Sequence, residues 1–281
     1  MGAPAGRSDA HRERTAPARV RQWRDPEVGL VVGADGAWSR ARRLLTEAVP
    51  LYTGVSFIDC RFDEVDTRHP GLVALVGDGS MFSADGEGRA IILQRNSGDV
   101  VRGYVMFRAG VDWRRRERIS PADTAAVKDS LLRQFSAWDP RLRLLLAEID
   151  SKYLDRAIWA LPAPLTWEPT SGATLLGDAA HVMAPFGGYG VNLALLDGAE
   201  LARAVAKEPT INGAIARYER TMLPRSGKLA TSANQALAEF FDQPFVAETT
   251  ADHEAEHRAY EAAAVEHRRQ QEATASEAFR E

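Results

Sequence analysis

The run Gly177–Asn192, GDAAHVMAPFGGYGVN, constrains this chain more than any other stretch. It sets an acid, a proline and a glycine cluster between a short apolar run and an apolar helix. Thr174 to Leu176 end a buried strand, so Asp178 falls at the strand's carboxyl end, the ligand side of an open α/β sheet. Ala179 and Ala180 are small and let another group approach closely. Pro185 to Gly190 form a turn whose backbone N–H groups are uncovered for want of side chains. The helix from Asn192 adds the positive end of its dipole. An acid for hydroxyls beside amides for an anion is what a sugar-phosphate ligand needs. Taken alone, the run is also compatible with a plain strand–turn–helix connection capped by Asp178.

A second run of the same kind, GADGAWSRAR, spans Gly33–Arg42. It follows Val28 to Val32, which read as a buried strand, and leads into a short arginine-studded helix over Ser39–Leu45. Between the two runs the pattern changes. YTGVSFI, LVALV, SMFSA, RAIILQR and DVVRGYVMFR are short runs rich in β-branched and aromatic residues, several of them separated by Asp-Gly turns. They predict an antiparallel meander over Tyr52 to about Arg108. In its last strand Arg102, Tyr104 and Met106 alternate with Val101, Gly103 and Val105, so one face is the more polar. With Gln94 those three form a candidate substrate face, an ordinary half-exposed sheet face being the plain alternative. Helices are predicted over Pro121–Phe135, with Ser120 as N-cap, and over Pro140–Ile149. Asp155–Pro162 and the run ATLLGDAA read as strands, Asn192–Lys207 as a long helix, and Ile211–Phe241 as further helices.

Composition narrows the rest. The 281 residues carry a formal net charge of -4, which gives no pull towards nucleic acid or an anionic membrane. Cys60 is the sole cysteine, excluding an intramolecular disulfide and a thiolate metal cluster. No apolar run approaches the ~20 residues of a membrane span, and no h-region follows the N-terminal arginines. A cytoplasmic location is expected. Residues 1–27 are rich in Arg, Ala and Pro and read as a disordered basic leader. The fold class expected is mixed α/β: an incomplete Rossmann-like domain interrupted by an antiparallel-sheet domain, with C-terminal helices. The expected divisions are 28–50, 51–165, 166–207 and 208–281.

Together the two glycine runs resemble the DG and GD motifs of the group A FAD-dependent aromatic monooxygenases, the family of para-hydroxybenzoate hydroxylase and the tetracycline-degrading enzymes. The resemblance spans roughly Val28 to Phe241, with motif order, separation and an intervening β-rich domain in agreement. It implies FAD as cofactor, NADPH or NADH as reductant, and a small aromatic or polyketide-like substrate. By the same resemblance Asp178 accepts a hydrogen bond from a ribityl hydroxyl, and Pro185, Gly187, Gly188, Gly190, Val191 and Asn192 line the flavin and its pyrophosphate. Asp35 and Arg42 hold the DG loop close to the pyrophosphate. His181 reads as a packed, loop-bracing histidine, since the family's chemistry resides in the cofactor. No catalytic acid or base is assigned.

These enzymes begin with a strand–GxGxxG–helix unit for the ADP half of FAD. No GxGxxG occurs in this sequence, and only 32 residues precede Gly33. The chain is therefore expected to correspond to the C-terminal part of such an enzyme and to bind FAD weakly or not at all. Two rival readings remain at this level. One is a flavin-free module that binds an aromatic ligand without catalysis. The other is a zinc hydrolase through His253, Glu254 and His257, a formal H-E-x-x-H match with His267 as a possible third ligand. The polar surroundings of that match favour no metal site.

Overall fold

The computed structural model describes residues 28–120, 123–150 and 153–241. Chain contacts divide them into two units. One contains residues up to Leu51 and Trp159–Ala236, the other Tyr52–Ile158 with the segment from Leu237.

The first unit is built on two short strands, β1 (Val31–Gly33) and, from the far side of the chain, β7 (Ala173–Leu175). They pair in parallel, with Val31 opposite Ala173 and Gly33 opposite Leu175. Gly33 is required by packing: a Cβ there would lie 2.4 Å from Leu175 Cδ2 and 2.7 Å from Ala41 Cβ. A 3-10 turn at Ala41–Leu44 follows β1. A single helical turn, α6 (Asp178–His181), follows β7, and then come two long helices, α7 (Gly190–Lys207) and α8 (Ile211–Phe240). The core joins Leu175, Ala179 and Ala180 to Leu201 and Ala204 of α7 and to Ala214, Tyr218 and Met222 of α8. Where the sequence predicts several helices over Ile211–Phe241, one helix runs through Pro224. Core side chains lie on both sides of that proline, which removes one N–H from the ladder without stopping the helix.

The second unit holds five strands: β2 (Leu51–Asp63), β3 (Ser80–Ala84), β4 (Arg89–Asn96), β5 (Val100–Arg108) and β6 (Leu154–Ala160). Their order in the sheet is β3-β4-β5-β2-β6. β3–β4, β4–β5 and β5–β2 are antiparallel. One face, with Ile58, Cys60, Ile91, Leu93, Val101, Val105 and Phe107, belongs to the hydrophobic core. α1 (Val65–Arg68), α2 (Pro70–Val76), α3 (Trp113–Arg116), α4 (Thr124–Gln134) and α5 (Pro140–Ala147) pack on it, with Phe62, Ile119, Phe135, Ile149 and Tyr153 completing the core. Burial of the Cys60 thiol on this face pushes its pKa upward.

Two expectations are corrected. LVALV is the body of α2, not a strand: Pro70 occupies the first helical turn, and Leu72 and Val76, one turn apart, are buried. Tertiary burial at helical spacing outweighs the β-propensity of two valines. The cap of α4 is Asp123, whose side chain accepts from the Ala126 amide at 2.9 Å, and not Ser120. Pro121 lies outside the described residues, as do residues 1–27 and the His253/Glu254/His257 match with His267.

Gly33→Ala is expected to lower stability by about 1–3 kcal/mol through overpacking at β1–β7. Urea denaturation of the purified chain reads this as a lower midpoint; an unchanged midpoint would show that the β1–β7 contact is looser than described.

Candidate functional site in the first unit

The two glycine runs, more than a hundred positions apart in sequence, meet through one side chain. Arg42 is 1% exposed. Its Nε donates to Ala179 O at 2.8 Å, and its Nη2 donates to Asp178 O at 3.0 Å and to Ala37 O at 2.9 Å. The guanidinium thus ties the turn of the first run to the helical turn that follows β7. Asp35 fixes the first run locally. Its carboxylate accepts from Ser39 Oγ at 2.5 Å, Arg40 N at 2.7 Å and Ala41 N at 3.3 Å, while Gly36 takes a φ of +79°. Burial opposes the charge on Asp35, but these hydrogen bonds outweigh it and hold the carboxyl below its usual range. Asp35 and Arg42 are therefore both engaged within the protein, in bracing the turn.

The second run is braced from beneath. Gly177 adopts φ +59°, ψ −143°, and a Cβ there would meet Ala194 Cβ at 3.0 Å. Its amide donates to Asp197 Oδ2 at 3.0 Å. The same oxygen lies 2.6 Å from His181 Nε2, and Oδ1 accepts from Arg225 Nη2 at 2.9 Å. Arg225 Nη1 reaches Glu200 Oε1 at 2.7 Å. A carboxylate can only accept, so Nε2 of His181 carries the proton. Burial alone would raise the Asp197 pKa. Hydrogen bonds from His181 and the Gly177 amide, with Arg225 beyond them, reverse that and keep it below the usual carboxylate range.

Sequence reasoning did not single out Asp197, Arg225 or Glu200. A signal was available in α7, where Leu193, Asp197 and Leu201 recur every four residues on its buried face. An acid on an otherwise apolar stripe demands buried donors.

Above this support lies an open rim. Asp178, Pro185, Gly187, Gly188, Val191 and Asn192 are exposed and Gly190 is half-buried. Among the described residues the Asp178 carboxylate has no hydrogen-bond donor, and Oδ1 lies 3.9 Å from a Cβ built on Gly190, at the start of α7. Gly187 and Gly188 have φ of +91° and +67°, and a Cβ on Gly187 would strike the Tyr189 ring at 2.3 Å. The N–H groups opening the 18-residue α7 have no intrahelical acceptor. The rim therefore offers one free acceptor and a set of free donors. It fits the hydroxyl-bearing chain and the phosphate of a flavin dinucleotide.

The candidate substrate residues belong to the second unit. Gln94 is directly opposite Arg102, and Tyr104 opposite Ile92. All four candidates lie on the sheet face turned away from the hydrophobic core. Gln94, Arg102 and Tyr104 are exposed, whereas Met106 is only 3% exposed. The Tyr104 ring meets Phe57 edge-on at 4.7 Å. Among the described residues no group of His, Cys, Asp and Glu is arranged to hold a metal ion. No described helix is long and apolar enough to cross a membrane.

Residues 27–233 match the family model described as the FAD binding domain. The chain belongs to that FAD-binding family. Monooxygenase penA of Penicillium thymicola is 28% identical over 244 residues, covering 71% of this chain and 56% of the relative. A HpxO variant of Klebsiella pneumoniae, solved with FAD, superposes with a TM-score of 0.64 at 20% identity, covering 84% of this chain and 57% of that one. A salicylate hydroxylase substrate complex gives a TM-score of 0.62 at 21% identity, over 79% of this chain and 58% of that one. The chain thus spans little more than half the length of these three proteins.

Asp197→Asn leaves His181 and Arg225 facing a neutral amide and is expected to cost about 3–5 kcal/mol. Because the Asp197 pKa is lowered in the folded state, its contribution is complete above the unfolded carboxyl value near 3.9 and fades as pH falls through the folded value. Denaturation curves from pH 7 downward should show the variant's deficit shrinking in acid. A deficit that stays constant with pH would contradict the assignment.

Proposed function

We propose that the chain is the flavin-handling part of an FAD-dependent monooxygenase that uses NADPH or NADH and oxygen to hydroxylate an aromatic or polyketide-like small molecule. The observation that carries this reading is the donor-free Asp178 carboxylate beside the free amides of α7, on a corner locked to the DG turn by Arg42. The names of its relatives support the reaction class. FAD, when bound, supplies the redox chemistry of oxygen transfer.

The chain's own residues bind and orient. Asp178 accepts from a ribityl hydroxyl. The amides of Gly190, Val191 and Asn192 receive anionic oxygen, helped by the dipole of α7, a contribution of about 1 kcal/mol. Gly187, Gly188 and Pro185 leave the approach clear. Gln94, Arg102, Tyr104 and Met106 contribute to the substrate face. The divisions 28–50, 51–165, 166–207 and 208–281 are proposed as flavin-domain, substrate-domain, flavin-domain and C-terminal helical segments, after a leader over 1–27. A reducing, cytoplasmic setting accords with a lone buried thiol.

Asp178→Ala tests the cofactor role. Quenching of flavin fluorescence on titrating the full chain should show FAD affinity falling about tenfold, the worth of one hydrogen bond to a charged acceptor. Equal affinity in the variant would remove Asp178 from the site. A wild-type chain that takes no flavin yet binds an aromatic ligand would replace the monooxygenase reading with a flavin-free binding module.

A further inference from the structure

The far end of α7 carries a second constellation, away from the flavin rim. Glu200, Arg203 and Lys207 recur at i, i+3 and i+7, which sets them on one side of the helix. Arg217 and Thr221, one turn apart, stand on α8. Both sets line a single cavity of about 200 Å³ within the first unit. Ala204 and Tyr218, 3% and 2% exposed, form its floor. Lys207 closes the helix that Gly190 opens, about 25 Å away along the axis.

The charges around this groove do not cancel. Arg217 Nη1 meets Glu208 Oε1 at 2.8 Å, and Glu200 Oε1 takes Arg225 Nη1 at 2.7 Å. Arg203 and Lys207 meet no carboxylate among the described residues, and both are exposed. The Glu200 carboxylate is thus oriented by Arg225 through one oxygen, while its other oxygen, Oε2, is buried without a hydrogen-bond partner. A buried carboxylate oxygen calls for a donor. The groove therefore presents two uncommitted cations beside one uncommitted acceptor. Acceptor and cations together ask for a ligand that bears both a hydroxyl group and an anion. A phosphomonoester carries close to two negative charges at pH 7, which matches the two free cations.

We propose that the α7–α8 groove is a binding site for a phosphorylated sugar: Arg203 and Lys207 hold the phosphate, and a sugar hydroxyl donates to Glu200 Oε2. Arg217 and the Thr221 hydroxyl border the phosphate end. The site does not depend on the flavin reading. The rival account is a solvated helix surface whose cations serve solubility alone.

The test titrates the full chain by calorimetry with ribose 5-phosphate, inorganic phosphate and ribose. Ribose 5-phosphate should bind about tenfold more tightly than inorganic phosphate, the worth of one hydrogen bond to a charged acceptor. Lys207→Met should weaken both phosphates about tenfold, as expected for loss of a charge-assisted contact. Glu200→Met should erase the preference for the sugar phosphate while inorganic phosphate binds at least as well as before, which also reports an intact groove. AMP separates the two sources of such a group. Tighter, Lys207-dependent binding of AMP than of ribose 5-phosphate assigns the ligand to the nucleotides, and weaker binding assigns it to the free sugar phosphates; both uphold the site. Equal affinity for ribose 5-phosphate and inorganic phosphate, binding untouched by Lys207→Met, or no binding of either phosphate overturns the inference. The wild-type comparison and Lys207→Met, a change on the exposed surface, decide the matter if Glu200→Met does not fold.

Discussion

The site in the first unit depends on one buried guanidinium. Arg42 sits in the short helical turn after β1, yet all three of its described side-chain hydrogen bonds go to carbonyl oxygens, two of them in the turn after β7. A buried cation needs acceptors, and these carbonyl oxygens supply them. The consequence is geometric. The DG turn and the GD corner are held as one rigid edge, although a two-stranded parallel pair of three residues each could not fix them by itself.

Beneath that edge the protein keeps its charges buried and paired; above it the charge and the donors are open. Asp197 is fully buried and takes three donors, whereas Asp178, next to Gly177 in sequence, is exposed and takes none from the described residues. This division explains why two acids so close in space have different tasks. One fixes backbone, and the other is left available.

Much of this was legible in the sequence, and the reasons are physical. Gly177 and Gly187 combine positive φ with tight neighbours, and Gly33 has tight neighbours alone; none can be replaced cheaply, so the three mark the corners in any reading of the chain. Strand alternation placed Gln94, Arg102, Tyr104 and Met106 on one face because the period of two is rigid. Exposure did not follow from alternation, and Met106 is buried where its neighbours are open. LVALV misled because its valines favour a strand locally, while Pro70 and the spacing of Leu72 and Val76 favour a helix. The network of Asp197, Arg225 and Glu200 was illegible as a unit, since its members come from two helices whose approach is a tertiary event. Only the acid within the apolar stripe of α7 hinted at it.

The central claim is that the two glycine corners, joined by Arg42, form the flavin-contacting edge of this chain. The most direct measurement is amide chemical-shift mapping of the full chain titrated with FAD. The account predicts the largest shifts at Gly177 and Asp178, over Gly187 to Asn192, and at Asp35 and Gly36. Shifts confined to other residues, or none at saturating FAD, would contradict it.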